Sequence, residues 1–197
     1  GVALAATPVL TRIYSPEEFG QFAVFLAVVM AATALSAGRY DMAVPLPADD
    51  RDAVSVAKLA LAIVLGLSTL LAVAVGLVWL VSPDVVLNSN LQWLYLVPIT
   101  VFVGGVNLVL YSLASRRRAF GRMGTSILIR QAWVATTQIG LGLVGAESFG
   151  LAAGMVLGSA AALVMLIPSA VVDFREHRSS TSDAMKVAKR YSGFLRH

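Results

Sequence analysis

The sequence predicts an all-α fold, a polytopic bundle of membrane-spanning helices. Two observations carry this. Hydrophobic residues make up 58% of the 197-residue chain and charged residues only 13%, about half the charge of an ordinary soluble domain. The charges are also spread unevenly. Residues 19–38, 59–82, 91–115 and 148–172 contain no Asp, Glu, Lys or Arg, and 123–145 contain Arg130 alone. A helix needs about 20 apolar residues to cross the hydrocarbon core, and five segments meet that length. A soluble fold of this size has no room to bury five helices on every side.

The elements follow in order. Residues 1–10 are apolar but too short to cross, and read as the tail of a helix whose beginning is missing. They do not form a signal peptide, because no basic stretch and cleavage site frame them. Crossings are expected near 19–45, 57–82, 91–115, 123–145 and 148–172, giving one bundle over 1–172 and a polar cytoplasmic linker over 173–197. Ser15-Pro16-Glu17-Glu18 starts the first full crossing, with an N-cap, a proline at the first helical position and acids in the first turn. Asp49-Asp50-Arg51-Asp52 reads as a solvated loop with a helix starting after it.

Orientation follows from the basic residues. If the connections alternate sides, one side holds Arg39, Arg51 and Lys58, then Arg116, Arg117, Arg118 and Arg122, then Arg175, Arg178, Lys186, Lys189, Arg190 and Arg196. The other side holds only Arg12. The basic side is therefore expected to be cytoplasmic. The net charge of +4 sits at the ends of apolar segments, as membrane topology requires, so nucleic acid is not an expected partner. With no cysteine and two histidines, His177 and His197, in the polar tail, no thiolate chemistry and little metal binding are available. No cofactor is expected.

Gly150, Gly154 and Gly158 recur every four residues, a spacing that lets two helix backbones approach closely. Arg130 lies about two turns inside its crossing. At about 100° per residue it shares an arc of about 120° with Gln131, Thr137 and Gln138. Two readings stay open, one wall of a wet cavity or an arginine that snorkels to the interface. Arg39 and Asp41 either pair or anchor the interface beside Tyr40. Asn107, near the middle of 91–115, reads first as a bond to a neighbouring helix and second as a ligand group. The run Arg116-Arg117-Arg118 reads as a positive-inside stop beside anionic headgroups. No phosphate loop, nucleophile elbow or paired carboxylates within a crossing are present, so no catalytic site is expected.

Several stretches resemble one family. Residues 10–20, LTRIYSPEEFG, are similar to the segment between the first two helices of bacterial and archaeal polysaccharide flippases. Residues 39–47, RYDMAVPLP, resemble the end of the second helix. Residues 117–120 resemble the cytoplasmic turn after the fourth helix, and 188–194 the approach to the seventh, although Leu195 stands where the family often has a proline. The resemblance is to the O-antigen or lipopolysaccharide (Wzx-type) flippases of the multidrug/oligosaccharidyl-lipid/polysaccharide exporter superfamily. It implies the first six-helix half of a two-bundle transporter with a truncated first helix, in the cytoplasmic (inner) membrane, partnered by a missing C-terminal half.

The implied activity is not enzymatic. A polyprenyl phosphate- or pyrophosphate-linked oligosaccharide would be flipped between leaflets for cell-surface polysaccharide biosynthesis. On that reading Arg130 and Arg39 are cavity candidates and Arg12 meets the headgroup on the outer side, while Gln131, Gln138 and Asn107 bond sugar hydroxyls. The alternatives are a multidrug exporter of the same superfamily, a membrane-embedded polysaccharide polymerase and an assembly subunit. The exporter would want an acid deep in a crossing, and the polymerase a large external loop; neither is present in these segments.

Overall fold

The computed structural model describes residues 2–36, 50–81, 91–117 and 119–176. They form helices α1 (Val2–Ile13), α2 (Pro16–Ser36), α3 (Asp50–Val81), α4 (Leu96–Arg116), α5 (Phe120–Leu143) and α6 (Glu147–Glu176), with a 3₁₀ turn, Leu91–Tyr95, leading into α4. No strand occurs among the described residues.

Four of these segments are long and apolar enough to cross a membrane: Pro16–Ser36, Asp52–Val81, Leu91–Arg116 and Glu147–Pro168. The chain is thus a membrane-embedded helical protein. The expected fifth crossing, α5, has the length at 24 residues but not the apolarity. Arg122, Arg130, Gln131 and Gln138 dilute it.

Local chemistry sets the helix ends. The Ser15 backbone N–H donates to Glu18 Oε2 at 2.5 Å, and the Glu18 N–H donates to Ser15 Oγ at 3.3 Å. This reciprocal capping box satisfies two N–H groups that the first turn of α2 leaves orphaned. Between α5 and α6 the Ala146 N–H donates to Leu141 O and the Gly145 N–H to Gly142 O, both at 3.0 Å. Gly145 takes φ 78°. That is a Schellman motif, and its left-handed residue favours glycine. Two expected boundaries move. Asp50, Arg51 and Asp52 lie in the first turn of α3 rather than before it, because acids at a helix start oppose its dipole favourably. Helix α6 runs through Pro168 to Glu176, past the expected end at 172. Residues 37–49 and 177–197, which hold Arg39 and most of the expected linker, lie outside the described residues.

Helices α4 and α6 form the centre. About half of their apolar windows is buried, 56% and 50%, against 17% for α2 and 11% for α3. Helix α5 packs most extensively on α6, α1 lies against α5, α2 spans α4 and α6, and α3 covers the far side of α4. At one end Val56, Ala57 and Ala60 of α3 meet Leu113 and Ala114 of α4 and Leu166 of α6. At the other, Tyr14 and Leu10 pack on Ala135 and Leu151, while Phe25 meets Trp93 edge-on. The α1–α2 junction, the 3₁₀ turn and the α5–α6 turn therefore share one end. The α4–α5 turn, with its arginines, lies at the opposite end beside the start of α3.

Candidate functional site

The polar residues of this bundle gather along α5 and its neighbours. They begin with close backbone contact. A β-carbon on Gly154 would stand 2.5 Å from Gln138 Cγ and 3.3 Å from Val134 O. On Gly158 it would run into Val134 Cγ2 and come within 2.8 Å of Arg130 O. On Gly150 it would meet the Tyr14 hydroxyl at 2.7 Å. The three glycines are therefore the surface on which α5 lies against α6.

That contact decides two predicted ligand groups. Gln138 is buried, and its Nε2 donates to Leu151 O of α6 at 2.9 Å. Asn107 is buried as well, its Nδ2 donating to Val103 O at 3.0 Å and to Ser159 O of α6 at 2.9 Å. The N–H donors of both amides are thus committed to carbonyls of α6, the neighbouring-helix bond expected first for Asn107, while Asn107 Oδ1 is buried with no hydrogen-bond partner among the described residues. In the low dielectric of the interior a buried N–H is costly to leave unpaired, which favours these interhelical bonds. The polar arc of α5 is also less pure than it looked. Met123, Ile127, Val134 and Leu141 fall in the same arc of about 120°, and Val134 packs into the glycine seam.

Arg130 stands apart. It is half-buried, and its side chain has no hydrogen-bond or ion-pair partner among the described residues. Its level in the bundle is set by its carbonyl, which lies against Gly158, next to the Ser159 that receives Asn107. One turn toward the arginine-rich end, buried Ser126 shares a 2.6 Å hydrogen bond with Tyr111 of α4. A further turn out stands Arg122, exposed. Arg122, Ser126 and Arg130, at successive four-residue steps, make a polar line that rises from the basic end into the bundle. Gln131 is half-buried, and Arg12 is exposed in the last turn of α1 at the opposite end. The structure therefore brings Arg130, Asn107 and Gln138 to the α4–α5–α6 seams and leaves Arg12 apart from them.

Two features lay beyond sequence reasoning. The Tyr14 hydroxyl donates to Gln138 O at 2.7 Å across 124 residues, and burial, followed by the Glu18 carboxylate, pushes the phenol's pKa up. The second is a partly enclosed cavity of about 370 Å³ at the basic end, between the α4–α5 turn and α6, with Arg117 and Arg122 in its lining. The arginine run was the one local signal for it. Among the described residues no group of three His, Asp or Glu side chains is placed to hold a metal ion. No family model, curated protein or solved structure matches the chain.

Proposed function

We propose that this chain moves a lipid-linked oligosaccharide from the cytoplasmic to the outer leaflet of the cytoplasmic membrane, as the first, six-helix half of a two-bundle transporter. The observation that carries the reading is Arg130. A charge held part-way inside a membrane-embedded bundle is costly and is retained where it faces water, protein or a charged ligand. This one has no partner among the described residues, and it ends a polar line that starts at the basic end. A guanidinium suits a phosphate or pyrophosphate, which it grips with two parallel donors. The sequence resemblance supplies the ligand class. Flipping makes and breaks no bond, so nucleophiles and metal ligands are not needed.

In this reading α5 is the fifth crossing in spite of its polarity, because its inward polar face lies on α4 and α6 rather than on lipid. Gln138 and Asn107 hold the helices in register, and Arg130 acts on the anionic part of the carrier. The multidrug alternative would want an acid deep in a crossing, and the acids of the four apolar spans, Glu17, Glu18, Asp52 and Glu147, all stand in their first turns. The test is removal of the gene from a cell that displays surface polysaccharide. The expected result is loss of the polysaccharide, with lipid-linked oligosaccharide accumulating on the cytoplasmic leaflet. Unchanged polysaccharide, or accumulation on the outer leaflet, refutes the proposal.

A further inference from the structure

Among the described residues, α5 is the long helix that lacks the apolarity of a spanning segment. It nevertheless runs lengthwise through the bundle, from Phe120 at the arginine-rich end to Leu143 at the opposite end. Arg130 and Gln131 are half-buried near its middle, and Gln138 is buried. Alone, such a helix enters hydrocarbon poorly, since one arginine near the centre of a crossing offsets the gain from several leucines. Helix α6 answers this polarity. Val144, Gly145 and Ala146 join the two helices, and the bonds from the Gly145 and Ala146 N–H groups to Gly142 O and Leu141 O fold them into an αα-hairpin. Gln138 Nε2 then meets Leu151 O at 2.9 Å, while Val134 and the Arg130 carbonyl lie on the bare backbone of Gly158. Helix α4 precedes α5 and bonds it through Tyr111 and Ser126 near one end; the middle and the far end of α5 meet α6. A helix that covers these groups withdraws them from lipid, and the absent side chains of Gly154 and Gly158 let it come close enough to do so.

We propose that α5 enters the bilayer as one unit with α6, its crossing conditional on the glycine seam of the later helix. The polar residues of α5, Arg130 among them, are thereby held at membrane depth by the apolarity of α6. The inference rests on α5 crossing the bilayer, which the function proposed above also requires.

The experiment maps the side of the membrane on which each turn of the full chain emerges. The chain has no cysteine. Val144 is 78% exposed in the α5–α6 turn, at the end where Gln92 lies beside Gly145 and Ala146. Val144→Cys and Gln92→Cys are labelled separately with a membrane-impermeant thiol reagent, in intact cells and in inside-out vesicles. In the otherwise native chain both react from the same side. With Gly154→Leu/Gly158→Leu added, Gln92→Cys keeps its side, while the ratio of crossed to uncrossed α5 read at Val144→Cys falls about tenfold or more, as overpacking of the seam requires. Leucine makes α6 more apolar, so the loss does not arise in α6 itself. Adding Arg130→Leu restores the labelling, because α5 then crosses on its own apolarity. Should the double-leucine variant not accumulate, Gly158→Ala, whose β-carbon alone meets Val134 and Arg130 O, is read in the same way. Unchanged Val144→Cys labelling in the seam variant overturns the proposal and leaves the crossing itself in place. Failure of Arg130→Leu to restore labelling also overturns it, by assigning the loss to misfolding. Val144 and Gln92 on opposite sides in the otherwise native chain would remove α5 from the bilayer, and with it both this proposal and the fifth crossing of the function proposed above.

Discussion

The stem of Gln138 occupies the space that a side chain on Gly154 would need. Gln138 Cγ lies 2.5 Å from the position of that missing β-carbon, and its amide reaches past the glycine to Leu151 O at 2.9 Å. In a bilayer, lipid competes with side chains for apolar contact, so helix association rests on close packing and a few interhelical hydrogen bonds. Here one residue pair supplies both.

Gly154→Leu therefore separates α5 from α6. The expected cost is about 1–3 kcal/mol from overpacking, plus the loss of the Gln138 bond. Gly76→Leu is the contrast, since nothing lies within 4 Å of its missing β-carbon, and a change within about 0.5 kcal/mol is expected there. Thermal unfolding of both variants in detergent measures the difference. Equal midpoints would show that the seam tolerates a side chain.

The tie between Tyr14 and Gln138 O makes the packing of α1 sensitive to alkali. The bond needs the protonated phenol, and burial raises the phenol's pKa above its ordinary value near 10. The stabilising contribution is thus fully present below about pH 10 and is lost as pH rises through the higher folded value. Tyr14→Phe removes the bond at all pH values, at a cost of about 1 kcal/mol, and should flatten the alkaline limb of the stability profile. The measurement is the unfolding midpoint of both proteins between neutral pH and pH 11. Parallel profiles would assign the alkaline loss to other groups.

Orientation is open to direct labelling, because the chain has no cysteine. Gln92 is exposed at the end that holds the α5–α6 turn, and Gly121 is exposed, with open space around it, at the arginine-rich end. With the basic end in the cytoplasm, a membrane-impermeant thiol reagent applied to intact cells labels Gln92→Cys and spares Gly121→Cys until the membrane is opened. The reverse pattern would invert the bundle.

Local chemistry was legible in the sequence, and partners were not. Ser15 to Glu18 could be read as a helix start because a capping box acts within four residues. The spacing of Gly150, Gly154 and Gly158 likewise pointed to close packing, since one face of one helix carries it. Gln138 could not be resolved the same way. Periodicity places it on a face of α5 but does not say which helix covers that face, and α6 turned out to lie there. The polar character of α5 was ambiguous for the same reason, since only the fold shows that Gln138 Nε2 donates to Leu151 O. Tyr14 gave no signal, because its partner is 124 residues away.

Arg130 carries the proposed function, and its chemistry separates two roles. An arginine that only reaches the interface needs its charge there and nothing more, so lysine should replace it with little effect. An arginine that binds a phosphate uses a planar fork, and lysine, a point charge, serves such a site less well. In cells that display surface polysaccharide, with membrane abundance matched, Arg130→Ala is expected on the proposed function to lose that polysaccharide. Arg130→Lys is expected to keep part of it, with initial transport reduced about tenfold, the equivalent of one charge-assisted hydrogen bond. Full activity in Arg130→Lys alone assigns the residue to electrostatics without geometry. Full activity in a stably inserted Arg130→Ala removes Arg130 from the translocation path, and the guanidinium would then serve as an interfacial anchor on α5.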